Sequence, residues 1–150
     1  MEYLRKNNYQ VISLQDLVFF IKNQQPLPDR AVVITIDDGY KSVYDVAWPI
    51  LESYGYPFTV FLYVKATDKN YKDILSWGEV QEMKAAGVDF QDHSYSHHRL
   101  GDWPKSMDES QYRAWIREDL LKGSRVLSGQ LGEKPRFFAI PYGEYNSIVL

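Results

Sequence analysis

The chain has 150 residues, 45% hydrophobic and 25% charged, with a formal net charge of −3 at pH 7. That length fits one domain of ordinary globular composition, able to bury roughly 68–70% of its unfolded surface. The acidic balance excludes a partner that needs a basic face, nucleic acid above all. The longest apolar run, Phe58–Val64, falls far short of the ~20 residues of a membrane-spanning helix, and the absence of cysteine excludes a disulfide framework, a thiolate metal site and a cysteine nucleophile.

The opening residues, Met1–Gln10, are polar and lack the pattern of a secretory signal peptide. Tyr9–Ile12 reads as a short strand, and Ser13 then caps a helix carrying Leu14, Leu17, Val18 and Ile21. Gln24–Asp29, with Pro26 and Pro28, is a loop. Val32–Ile36 is a continuous β-branched run, the pattern of a strand buried on both faces. Val43, Val46, Ala47, Ile50, Leu51 and Tyr54 recur at helical spacing and Gly55 supplies the stop. Pro49 inside that pattern implies a kink or a place in the first turns. Phe58–Val64 is the second strand.

Ser76, with Glu79 three residues on, forms a capping box for a helix using Val80 and Met83. Gly87 ends that helix and Val88–Gln91 is a third, less apolar strand. From about Asp108 a long helix places Tyr112, Trp115, Ile116, Leu120 and Leu127 on one face, with Gly123 weakening its middle. Its charged residues, Arg113, Arg117, Glu118 and Lys122, form a solvated face. Phe137–Ile140 is a fourth strand, stopped by Pro141. Strands alternating with helices predict a parallel sheet, either open and doubly wound or part of a (β/α) barrel, whose full form needs about 250 residues. Both architectures place chemistry at the carboxyl ends of the strands.

Three polar clusters stand at such ends. Asp37-Asp38-Gly39 follows the first strand; it suits a tight turn, but two adjacent carboxylates also call for a cation or a shared proton. Asp92-His93-Ser94-Tyr95-Ser96-His97-His98 follows the third strand and holds every histidine in the chain. His93 and His97 are four residues apart, the spacing at which one helical turn lets two imidazoles share a metal. Two neutral imidazoles and one carboxylate would leave a coordination position open, as in catalytic zinc sites. Pro141-Tyr142-Gly143 follows the fourth strand and suits a turn, or a backbone N–H and an aromatic face at the same rim. The aromatic share of 15% suits core packing and a sugar-binding surface alike.

In this order the clusters resemble the polysaccharide deacetylases of carbohydrate esterase family 4, the NodB-homology domain. Thr35–Tyr40 is similar to that family's first motif, His93–His97 to its second and Pro141–Gly143 to the core of its third. Leu75-Ser76-Trp77 and Ala86-Gly87 fit the intervening segments. The resemblance implies an α/β fold, a distorted (β/α) barrel of parallel strands, partial or truncated in this chain, with residues 1–150 a deacetylase domain incomplete at its C-terminus. It implies a hydrolase removing N-acetyl groups from polysaccharide containing N-acetylglucosamine: an exopolysaccharide, peptidoglycan or a chitin-like polymer. Carried over by position, Asp38, His93 and His97 would hold a divalent ion, Zn2+ or alternatively Ni2+ or Co2+. Asp37 would be the general base, and Pro141 and Tyr142 would face the oxyanion and substrate, Tyr142 through its backbone N–H. The intact protein would be extracytoplasmic, in keeping with its polymer substrate.

Two departures from the family pattern bear on function. The arginine that often precedes the Pro-Tyr pair by two residues is replaced by Ala139, and Arg136, an odd number of residues away, points to the opposite face of an extended strand. The family's last two motifs, including a histidine that protonates the leaving amine, lie beyond the third motif, which leaves only His98 unassigned. Those losses keep a second expectation open: a non-catalytic carbohydrate-binding module that retains the groove, with Trp77, Tyr95, Trp103 and Tyr142 stacking on sugar rings. A third is a metallohydrolase sharing only the metal triad and acting on another amide or ester.

Overall fold

A run of parallel strands carries the fold in the computed structural model, which describes residues 1–150. The first helix, α1 (Glu2–Lys6), was not expected from the pattern and buries no residue. It is followed by β1 (Gln10–Val11) and α2 (Leu14–Lys22), whose N-cap Ser13 accepts the Asp16 N–H while the Asp16 carboxylate accepts from Ser13 N–H. The expected strand over 32–36 is two pieces, β2 (Ala31–Val32) and β3 (Thr35–Asp38). β2 pairs with β1 and β3 pairs with β4 (Thr59–Leu62), both in parallel. Each piece has a single partner strand, and neither is buried on both faces: β2 is half-buried, and β3 alternates between exposed and half-buried residues.

The helix expected after the first motif begins with a widened, π-helical turn over Val43–Ala47 and continues as α3 (Trp48–Ser53). Pro49 falls just after the widened turn, inside the continuous helix that runs from it into α3, and lacks an N–H to bond back to that turn. β4 is buried at every position and lies between β3 and β5 (Asp89–Asp92). The apolar run that encodes β4 also starts an unexpected short helix, α4 (Val64–Asp68), whose Val64, Ala66 and Thr67 are buried. Next along the chain, α5 (Trp77–Ala85) has the capping box read from Ser76 and Glu79.

The long helix is α6 (Glu109–Leu131), opened by a capping box between Asp108 and Gln111 and ended by Gly132 at φ 75°. Tyr112, Ile116 and Leu127 are buried on it as expected, and so are Asp119 and Gly123. The expected fourth strand amounts to one parallel bridge, Asp92 to Phe138, closed by Asp92 N–H to Phe137 O and Ala139 N–H to Asp92 O. A 3-10 turn over Pro141–Gly143 follows.

The core is built from β4, the helices beside it and the flanking turns: Val60, Leu62, Val64, Leu75, Val80, Met83 and Leu127 are fully enclosed. Before Gly39 no residue is buried. The buried core therefore begins only at the end of β3, with the first strands and helices outside it. No helix is long and apolar enough to cross a membrane.

Candidate metal centre

Parallel pairing puts Asp38, Leu62 and Asp92 in one row across β3, β4 and β5. The first residue beyond β5 is His93, and the loop turns back to bring His97 beside it, ring centroids 4.8 Å apart. Asp38, His93 and His97 each offer one donor atom, and the three donors lie within 4.8 Å of one another. Asp38 Oδ1 is 3.0 Å from His97 Nε2 and 3.5 Å from His93 Nε2. It is buried, yet it accepts no hydrogen bond of sound geometry. A buried carboxylate oxygen without a donor is costly, and two imidazole nitrogens pointing at it form the donor set of a divalent transition metal. The residues fit such an ion.

Two further contacts prepare the imidazoles. His93 is 3% exposed and its Nδ1 lies 2.8 Å from Ala139 O. A carbonyl only accepts, so Nδ1 carries the hydrogen and Nε2 keeps its lone pair toward Asp38, the outer-shell arrangement usual for metal-binding histidine. Burial lowers the pKa of His97 below the ordinary histidine value, against the opposing pull of Asp38. The first contact fixes which His93 nitrogen faces Asp38, and the second effect favours the neutral His97 ring, the form that ligates.

Backbone geometry at the site is unusual. Asp38, Ser94, His97 and Tyr142 all have left-handed φ, at 69°, 68°, 56° and 61°. Such conformations cost non-glycine residues on the order of 1–3 kcal/mol and persist only where the surroundings enforce them. Gly39, at φ 76°, completes the first turn, and a Cβ there would stand 2.5 Å from Leu62 Cδ2.

The other expected site residues are arranged around the donors. Asp37 is exposed at the end of β3, next to Asp38, and its backbone C=O accepts from Gly39 N–H. Pro141 is buried, while Tyr142 is 55% exposed. The Tyr142 ring lies 4.8 Å from that of His97, and the Arg99 guanidinium is 4.3 Å from its centre. Arg99 is paired with Glu144. His98 is turned away from the donors and packs against Trp115 at 5.6 Å. Arg136 forms no ion pair with Asp37; its N–H is held by Gln91 Oε1. Of the aromatic residues considered for sugar stacking, Tyr95 is buried and Trp77 half-buried, which leaves Trp103 and Tyr142 at the surface.

Several residues at the site carry no motif. Tyr63 packs against His97 with ring centroids 5.0 Å apart, and burial raises its phenol above the ordinary value. Ala139 acts through its carbonyl, which no side-chain pattern reveals. Asp92 is buried, and burial pushes its carboxyl up to about 7, with the Asp119 charge adding to the effect. Asp119 was detectable in principle, as an acid on the apolar stripe of a long helix.

The polysaccharide deacetylase family matches residues 24–150, and the chain belongs to it. A poly-beta-1,6-N-acetyl-D-glucosamine N-deacetylase of Staphylococcus epidermidis is 30% identical over 152 residues, covering 97% of this chain and 52% of that protein. The enzyme of the same name from Escherichia coli is 26% identical over 183 residues, covering 99% of this chain and 27% of its own length. The deacetylase domain of BpsB from Bordetella bronchiseptica superimposes with a TM-score of 0.87 at 26% identity, over 99% of this chain and 69% of that one. The parallel α/β fold is thus that of the deacetylase domain, and this chain spans only part of the length of each of these relatives.

Proposed function

We propose that the protein is a metal-dependent N-deacetylase of a polysaccharide built from N-acetylglucosamine, most closely the β-1,6-linked polymer named for its relatives. The observation that carries this reading is the meeting of Asp38, His93 and His97 around a buried, unpartnered Asp38 oxygen, with a second carboxylate, Asp37, next to it and open to solvent. Zinc suits the donor set, and nickel or cobalt would serve the same ligands. A divalent ion held there would supply polarisation of the amide carbonyl and acidification of a water.

The chain's own groups divide the remaining work. Asp37 accepts the proton of the attacking water, a role open to it because Asp38 is the carboxylate committed to the ligand set. The Tyr142 backbone N–H donates to the oxygen that gains negative charge as water adds to the carbonyl carbon. Pro141 fixes the chain just before that N–H, and the Tyr142 ring offers an apolar face to a pyranose. Collapse of the adduct breaks the C–N bond, releasing acetate and a sugar amine that takes up a proton. With His93 and His97 at ligand positions and His98 against Trp115, that proton comes, on this reading, from a group outside residues 1–150. The same reading takes these residues as one part of a longer deacetylase domain acting outside the cytoplasm.

The test is acetate release from β-1,6-linked N-acetylglucosamine oligomers, with and without a chelator, by wild type and Asp37→Asn. Metal-dependent release that the substitution abolishes supports the proposal. Chelator-insensitive release would point to a different hydrolase, and oligomer binding without release, indifferent to Asp37→Asn, would point to a sugar-binding module.

A further inference from the structure

We infer that helix α6 positions the metal-binding histidines, with Asp119 as the clamp and Gly123 as the space it closes on. The loop from His93 to His97 must reverse within a few residues, through left-handed Ser94 and His97, and its backbone polar groups are buried with it. On one side, Ser94 O and Tyr95 O accept from Val64 N–H and Lys65 N–H of α4. On the other, the Asp119 carboxylate takes the two amides that the reversal turns outward: Oδ2 accepts from Tyr95 N–H at 3.2 Å and Oδ1 from Ser96 N–H at 3.0 Å. Hydrogen bonds from backbone N–H to an ionised carboxylate are stronger than neutral ones, and Asp119 is 8% exposed.

Gly123 lies one helical turn further along the same face of α6. A Cβ there would stand 2.8 Å from Asp92 Oδ1 and 3.1 Å from Tyr95 N. The missing side chain therefore lets the helix approach closely enough for Asp119 to reach the loop. Lys122 adds a third contact, its ammonium 3.9 Å from the centre of the Tyr95 ring. None of these α6 residues touches the donors themselves. Asp119 acts through the loop backbone, as a positioning residue for His97 and, one residue before the loop's first clamped carbonyl, for His93.

The metal arm of the test rests on the proposed metal reading; the amide arm does not. In the metal-free folded protein, hydrogen exchange at Tyr95 and Ser96 N–H should be as slow as in the middle of α6, and Asp119→Ala should speed it at these two amides while leaving the α6 amides protected. Rapid exchange at both amides in wild type would overturn the inference outright. Titration with Co2+ alone should show affinity falling roughly 10–100-fold in Asp119→Ala, the usual outer-shell effect, with a changed cobalt absorption spectrum and a smaller loss in Asp119→Asn, which keeps one acceptor oxygen. Gly123→Ala, which leaves Asp119 intact, should give the same signature and serves if Asp119→Ala does not fold. Variants that melt earlier but bind Co2+ with wild-type affinity and spectrum would reduce Asp119 to a packing role and overturn the inference. Wild type that fails to bind Co2+, with both amides protected, would count against the metal reading and leave the clamp supported.

Discussion

The turn Asp37–Gly39 leaves an edge strand with one carboxylate in solvent, and what shapes it is the single glycine packed on Leu62. The loop His93–His97 leaves β5 held on both sides, by the first amides of α4 and by Asp119 of α6, and three of its five residues are buried. The two segments face each other across the same three donors. On the proposed function the difference separates tasks: the rigid side sets where two imidazoles stand, and the open side leaves Asp37 free to exchange a proton with water. A base that must pick up and release protons gains from solvent access, whereas a neutral ligand gains from burial that keeps it neutral.

The largest expected effect lies on the open side. Asp37→Asn should lower turnover about 10²–10⁴-fold, the usual worth of a general base, while Co2+ titration gives an unchanged affinity; a parallel loss of metal would erase the distinction between the two carboxylates. On the rigid side, the consequence is a pH dependence. Asp92 titrates in the folded protein at about 7 against an ordinary value of 3.8. Below about pH 4 both folded and unfolded chains hold the proton; between there and pH 7 only the unfolded chain ionises, so stability falls as pH rises and then levels off. In the metal-free protein the stability difference between wild type and Asp92→Asn should fall by up to about 4 kcal/mol across pH 4–8, a comparison that cancels the opposite, rising contribution of the lowered His97.

A smaller effect tests the hinge of the open turn. Gly39→Ala introduces a Cβ at positive φ against Leu62 and should destabilise by about 1–3 kcal/mol, measured by urea unfolding. The smallest is Ser94→Ala. It removes the hydroxyl that accepts His97 N–H at 2.8 Å and should cost about 1 kcal/mol, with a modest loss of Co2+ affinity. A cost larger than that of Gly39→Ala would show that the histidine loop depends on this one bond more than on its two clamps.

The donors were legible in the sequence because Asp38, His93 and His97 sit at the ends of strands whose apolar runs mark them, and a parallel sheet gathers such ends along one edge. The resemblance to a family added roles to positions already singled out. What escaped notice acts through the backbone or against local preference. Ala139 contributes a carbonyl, the same in every residue. Gly123, on helix propensity alone, weakens α6, but the close approach to Asp92 and Tyr95 outweighs that cost. Val32–Ile36 reads as one buried strand, yet its two halves pair with different neighbours, and pairing is a long-range choice that the run itself does not encode. Phe137–Ile140 has strand-like residues but makes only one bridge.

Asp38 and Asp92 sit opposite one another through Leu62, which sets the backbone separation between Asp38 and the root of the histidine loop at two interstrand spacings, about 10 Å. That gauge is set by main-chain hydrogen bonds and does not change when β4 is repacked with other apolar residues. The scaffold can therefore drift in core composition, or be stabilised by redesign there, while presenting the same span to an ion. Lengthening or shortening a strand by one residue, by contrast, would turn a ligand to the wrong side of the sheet.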